Sequence, residues 1–408
     1  MIPHYNLYIR LTRYVFLLLA TSLMSTYAAA LPAYDANEKQ TWSWSIEDVD
    51  VTPARFTALA VDQEGSVHVA YAAGAGGYDL KYAFRPAGSA KWFTMQLEKE
   101  YSNFATNIGI DKKGNPHVCF TPRQMRYASW NGKSWDVQQV DAASGGVEYS
   151  CSMAFGSDGM PHLAWYQTHT PANTLYLHIK YATLKDGVWM ARTLDFDREC
   201  GKWNSVVVDD EGRPHIAYSV FPPGELKYSW FDGKDWHFTL VDTPHQGTTR
   251  YAVGLGVSLA QDQKKQFFMS YYESPYSADV HESGMLKVAK LEGGKWKITV
   301  VDQVEKTTGW AEYNSQIAFD SHGNPHVSYE DGGGLKHAFW DGEQWRVQLI
   351  VGATGEALIY SSMKVAPDDT VFISYRDPND SILRVAVGRP TTQKIAKSAA
   401  VTPDSPKH

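Results

Sequence analysis

Cysteine is scarce: Cys119, Cys151 and Cys200 are the only ones in 408 residues. An odd, low count permits at most one internal disulfide, so the fold is not a bridge-stapled scaffold. Cys119 falls where other segments carry Ala70, Ala164, Ala217, Ser270, Ser328 and Ser374, a small-residue packing position. If a bridge forms, the expected pair is therefore Cys151 with Cys200. Positive charge is also short, with 38 Lys and Arg against 45 Asp and Glu, a formal net charge of −7. An acidic surface repels phosphate backbones and argues against a general nucleic-acid binder. It leaves room for a local basic cleft that takes an anionic polysaccharide.

Long apolar runs are absent apart from Tyr14–Met24, which follows Arg10 and Arg13 and precedes the small residues Ala28–Ala30. That run is short of the roughly 20 apolar residues a membrane helix needs. It reads as a signal peptide over residues 1–30, with a retained signal anchor as the alternative. Removing it takes the net charge from −7 to −9. The expectation is a secreted or periplasmic protein with no membrane span, and a monomer.

Aromatics, by contrast, are abundant at 13%, including 14 Trp and 24 Tyr. Strands and sugar-binding surfaces both favour them. The pattern behind them is a repeat of about fifty residues, in the range of propeller blades. "DKKGNPHVCF" begins at Asp111, "DDEGRPHIAY" at Asp209 and "DSHGNPHVSY" at Asp320. Each unit holds four strand-like pieces, A to D. Trp92, Trp135, Trp189, Trp236, Trp296 and Trp345 open six D strands, and an acid follows six positions later in five: Glu98, Asp141, Asp195, Asp242 and Asp302. Seven A–B–C sets need a seventh D strand, and "WSIEDVD" supplies it, with Trp44 six residues before Asp50.

These counts predict an all-β fold, a seven-bladed β-propeller of four-stranded antiparallel blades over residues 41–388. An N-terminal outer strand would close the ring, removing two open sheet edges. Residues 31–40 read as a linker and 389–408 as a disordered tail.

Two recurring residues have structural readings. Each C strand starts with a base: Lys81, Arg126, Lys180, Lys227, Lys287, Lys336 or Arg384. In a C–D hairpin these would face the D-strand acids of the same blade. Lys336 would then lack a partner, because residue 351 is Val. The strand B histidines His68, His117, His162, His215 and His326 alternate with Phe268 and Phe372. A position that accepts Phe is a packing site, and the imidazole would add a hydrogen bond to a nearby turn. Equivalent sites on different blades lie too far apart to share a metal ion. No metal and no cofactor are expected.

The Asp-Xaa-Xaa-Gly turn followed by a strand, repeated along residues 41–388, resembles the Asp-box (BNR-repeat) propellers of the sialidase-like superfamily. Here the turns run on into Pro-His, where the usual box ends in Trp. The resemblance implies the fold. The superfamily holds sialidases, seven-bladed polysaccharide lyases and sugar-binding proteins, so it leaves the activity open.

Functional residues should sit where strand A begins, on the face opposite the Asp turns, wherever the repeat breaks down. Register places Asn103, Glu148, Tyr149, Lys202, Glu312 and Tyr313 there, with Arg55, Phe56, Arg250, Tyr251 and Tyr360 nearby. Arg198, Trp203 and Asn204 enrich one arc. Aromatic faces stack on sugar rings, while carboxylate, amide and guanidinium groups meet hydroxyls or uronates. Long inserts around Tyr276, His281 and Glu282, and at His169, could wall a groove. The sequence therefore favours carbohydrate recognition at the mouth of the ring. A polysaccharide lyase or glycoside hydrolase is the alternative, with Glu148, Tyr149, Arg250, Glu312 and Tyr313 as candidate catalytic groups. A non-enzymatic protein-interaction scaffold is the third reading.

Overall fold

The computed structural model describes residues 38–74, 78–101, 106–122, 124–141, 147–169, 176–196, 198–222, 224–244, 251–275, 283–304, 313–353 and 360–394. Residues 1–30 lie outside them, and so do Tyr276, His281 and Glu282. Among the described residues every regular element is a strand. Among them no helix is long and apolar enough to cross a membrane.

Repeats two to six each form a separate four-stranded antiparallel sheet, in the order A-B-C-D along the chain. The expected seven separate blades are not found. Five are, and repeats one and seven share one seven-stranded sheet. The cause is the 24-residue strand Glu38–Val61. Its first half pairs with Ile382–Lys394, from Glu38↔Lys394 to Asp48↔Arg384, and its second half with Val67–Ala73. Only Val51-Thr52-Pro53 separates the D-like part from the A-like part. That is too short for the chain to leave the sheet, and bulges there absorb the change of direction. The pairing also runs past the expected limits of 41 and 388.

The turn between strands A and B is built by one carboxylate. Asp62 Oδ1 accepts the Glu64 and Ser66 amides at 2.9 and 2.8 Å, and Gly65 supplies the left-handed φ of +84°. The strand B histidine then spans two elements. His215 Nε2 lies 3.1 Å from Asp209 Oδ2, and its Nδ1 lies 2.6 Å from the Tyr228 hydroxyl on strand C. His68 and Tyr82, His117 and Tyr127, and His162 and Tyr181 repeat the histidine–tyrosine contact. These histidines are buried architecture, as their exchange with Phe268 and Phe372 suggests.

Six of the seven C-strand bases do not pair within their own hairpins; Arg384, which stands opposite Asp48 and pairs with it, is the exception. Lys81 reaches Asp50 at 2.9 Å, Arg126 reaches Glu98 at 3.8 Å, Lys227 reaches Asp195 at 3.1 Å and Lys287 reaches Asp242 at 3.0 Å. Lys180 likewise pairs with Asp141. Each of these five bases takes the acid of the preceding repeat. The reason is the pleat: Asp242 stands opposite Leu226, whereas Lys227 stands opposite Leu240. Adjacent residues point to opposite faces, so acid and base of one hairpin are separated by the sheet. Lys336 is not partnerless; Asp302 lies at 3.5 Å and Asp331 at 2.5 Å.

In four repeats the strand B tyrosine joins the same carboxylate. Tyr71 donates to Asp50 at 2.6 Å, Tyr218 to Asp195 at 2.7 Å, Tyr271 to Asp242 at 2.9 Å and Tyr329 to Asp302 at 2.5 Å. Repeat seven meets Val351 instead of an acid, and the buried Tyr375 hydroxyl has no partner among the described residues. Arg384 pairs with Asp48, Asp377 and Asp380.

Apolar clusters fill the spaces between neighbouring sheets, for example Tyr127, Met153, Leu163 and Trp165 between repeats two and three. The expected pairing of Cys151 with Cys200 is not found. Cys151 Sγ lies 2.8 Å from Cys119 Sγ, while the Cys200 thiol faces the Asp195 carbonyl at 3.5 Å. All three side chains are buried, and no S–S bond joins them in this structure.

Candidate functional site at the mouth

Strand A starts irregularly. Register shifts fall between Arg55 and Ala58, between Cys200 and Asn204, and between Val253, Leu255 and Ser258. Extra residues at these bulges are re-aimed away from the ladder. Phe56 and Tyr360 hold φ at +50°, where a side chain crowds the backbone. Gly256 holds φ at +59°, and an added Cβ there would sit 2.5 Å from the Tyr313 carbonyl oxygen. Only glycine permits that approach between repeats five and six.

The bulges surround a cavity of about 160 Å3 to which the strand A starts of all seven repeats contribute. Phe56, Trp203, Tyr313 and Tyr360 supply aromatic surface, and Asn107, Asn204, Asn314 and Gln316 supply amides. Among the described residues that line it, none is charged. The Phe56 and Tyr360 rings pack at a 53° tilt with centroids 4.5 Å apart, and both are half-buried.

The polar groups are held in place. Asn204 Nδ2 donates to Ser150 Oγ at 2.7 Å and to the Gly201 carbonyl at 2.9 Å, while its Oδ1 accepts from Ser152 Oγ at 2.7 Å. The Asn314 side chain donates to the Ser361 carbonyl. Tyr313 is buried, lies 5.2 Å from the Tyr272 ring and shares a 2.6 Å hydrogen bond with Ser274 Oγ. Behind this wall Glu330, also buried, accepts the Ser361 amide at 2.9 Å. Such a framework positions groups for a ligand without reorganising them.

Of the expected site residues, the cavity brings together Trp203, Tyr313 and Tyr360, with Phe56 and Asn204. It does not bring in four others. Arg198 is exposed on the rim, paired with Glu225 at 2.8 Å and donating to the Pro222 carbonyl at 2.9 Å. Lys202 lies over the Trp203 ring at 5.2 Å. Tyr251 is buried opposite Pro275, and Arg55 stands opposite Ala72. Asn103, Arg250 and Glu312 lie outside the described residues, as do the side chains of Glu148 and Tyr149.

Sequence reasoning missed Asn107, Asn314, Gln316 and Glu330. The amides sit inside strand A or just before it, beyond the dipeptides that the turn register singled out. Glu330 follows the strand B tyrosine, where the repeats carry Ala72, Thr121, Tyr166, Ser219, Tyr272 and Arg376. That column varies as much as the strand A starts do, which was the available signal. Among the described residues, no group of three His, Cys, Asp or Glu is arranged to hold a metal ion.

No protein-family model matches the chain, and no curated protein matches it. The Asp-box likeness therefore remains a likeness of the turns. Solved structures do match in fold. The polysaccharide lyase Uly1 superposes with a TM-score of 0.56 at 9% identity, over 83% of this chain and 90% of that one. A virginiamycin B lyase from Staphylococcus aureus gives 0.54 at 9%, over 85% and 99%. A PL25 ulvan lyase gives 0.53 at 11%, over 86% and 98%. At such identities the likeness establishes the propeller fold and nothing finer.

Proposed function

We propose that this chain is an exported propeller whose central mouth recognises carbohydrate, and that its ligand there is neutral in the main. The observation that carries this is the lining of the cavity: aromatic rings beside fixed amides and hydroxyls, with no charged group among the described lining residues. Apolar faces of pyranose or furanose rings stack on such aromatics, and amides both donate to and accept from sugar hydroxyls. A mouth built for polyuronates would instead place cations against the carboxylates. In this reading the strand Glu38–Val61 ties the first and last repeats together and so closes the ring.

The second reading is a polysaccharide lyase or glycoside hydrolase working at the same mouth through Glu148, Tyr149, Arg250 and Glu312. Two of the fold relatives are named polysaccharide lyases. A third is named a virginiamycin B lyase, so the scaffold does not select the substrate. Tyr313 is the weakest of the candidate acids or bases, since its hydroxyl is buried and held by Ser274.

The test is to present the purified protein with neutral polymers (β-glucan, arabinoxylan) and anionic ones (polygalacturonate, alginate). Binding, unsaturated-uronate absorbance and reducing ends are read in parallel. Retention on a neutral polymer without new ends supports recognition. New unsaturated ends establish a lyase, and absence of binding to every polymer rejects both readings.

A further inference from the structure

The seams between repeats carry a recurring side-chain contact. The small residue of strand B meets a residue near the start of strand A in the next repeat. Ser270 Oγ lies 2.8 Å from Ser315 Oγ across one seam, and Ser374 Oγ meets Thr57 Oγ1 across another. Cys119 and Cys151 occupy the same two places between repeats two and three. Cys151 stands opposite Trp165 as Ser315 stands opposite Tyr329. Where the other two seams hold a hydroxyl pair at hydrogen-bond distance, this seam holds two sulfurs 2.8 Å apart.

We propose that Cys119 and Cys151 form a disulfide that links the second and third repeats of the folded chain. The sulfurs are already far inside ordinary contact distance and close to the roughly 2.05 Å of an S–S bond. Both side chains are buried between packed sheets, so the pair is held facing rather than meeting by chance. The seam also lacks a link that four others have. Trp165 stands in the tyrosine position and offers no hydroxyl to Asp141, which pairs with Lys180. Cys200, near the Asp195 carbonyl, is the thiol left over.

The oxidant is a small or protein disulfide donor. A cysteine thiolate attacks it and expels one donor thiol, giving a mixed disulfide. The second cysteine thiolate then displaces the other donor thiol. Two cysteine S–H bonds are lost, one S–S bond forms, and the donor leaves as two thiols that carry the two protons. Cys151 is the natural entry point, because it lines the central cavity while Cys119 lies behind it. Burial holds the Cys151 thiol well above its usual range, so exchange should be slow in the folded state and faster during folding.

The full chain is incubated with oxidised glutathione during refolding, then denatured and alkylated before and after reduction. The proposal expects one alkylated cysteine before reduction, Cys200, and three after it. A non-reducing tryptic map should show the Cys119 and Cys151 peptides joined. Three alkylated cysteines before reduction, or a bridge to Cys200, would overturn it. The Cys119→Ser/Cys151→Ser chain keeps a hydroxyl pair like Ser270 with Ser315, so it should fold. Reductant should lower the Tm of the oxidised wild type by several degrees and leave the double variant unmoved. An equal response in both would also overturn the proposal.

Discussion

The Phe56 and Tyr360 rings pack at a 53° tilt across the junction of the first and seventh repeats, and both residues hold a left-handed backbone at φ +50°. For a residue with a Cβ that conformation costs about 1–2 kcal/mol. Glycine would occupy either place without strain, and it does so at Gly256, the equivalent position of the fifth repeat. Strain kept at two neighbouring aromatics that line a cavity marks them as held for what they touch.

Phe56→Gly and Tyr360→Gly should each change stability by less than about 1 kcal/mol, because relief of strain offsets the lost ring contact. Both should weaken carbohydrate binding. Chemical denaturation and a binding isotherm on the same samples check this. A large loss of stability with affinity intact would make the pair structural.

The seam tyrosines give a matched comparison. Tyr71→Phe removes a hydroxyl donated to Asp50 and should cost about 1 kcal/mol. Tyr375→Phe removes a buried hydroxyl without a partner among the described residues, and should be neutral or slightly stabilising. Urea midpoints of the two variants test this, and equal costs would contradict the seam account.

Acid should loosen the repeats through their histidines. Burial pushes the His162 imidazole down to about 4, with the Asp158 charge opposing it only in part. The folded value lies below the unfolded value near 6.5, so the unfolded chain binds more protons between the two. The stability this neutral histidine contributes is therefore present above pH 6.5 and lost as pH falls towards 4. His162→Phe, which copies the residue type found at Phe268 and Phe372, should flatten the Tm profile over that window. An unchanged slope would show that His162 does not titrate there.

Removing residues 38–48 should destabilise the whole domain. It leaves the edge of Ile382–Lys394 unpaired, and it strips Trp42 from His326 and Trp44 from His337, whose centroids lie 4.7 and 5.2 Å away. A truncated chain that melts with the full one would refute this role.

The period, the strand order and the N-terminal donation of a strand were legible because each leaves a countable mark, such as Trp44 six residues before Asp50. Seam partners were not. Whether Lys227 meets Asp195 or Asp242 depends on a bulge between Leu226 and Lys227 that shifts the pleat by one face. The merged sheet was hidden because nothing in the sequence marks that the chain stays in strand through Val51-Thr52-Pro53. At the mouth, sequence register found Trp203, Tyr313 and Tyr360 among the described lining residues. Arg198 and Lys202 are spent on Glu225 and the Trp203 ring, and the cavity is lined by amides that composition does not flag.

The central claim is that carbohydrate binds on the aromatic wall of the mouth. The most direct measurement is calorimetric titration of wild type and the Phe56→Gly/Tyr360→Gly double variant with oligosaccharides from the neutral polymer retained in the panel. The account predicts at least a tenfold loss of affinity in the double variant, with its melting transition preserved. Equal affinity in the two proteins would place the ligand elsewhere and contradict it.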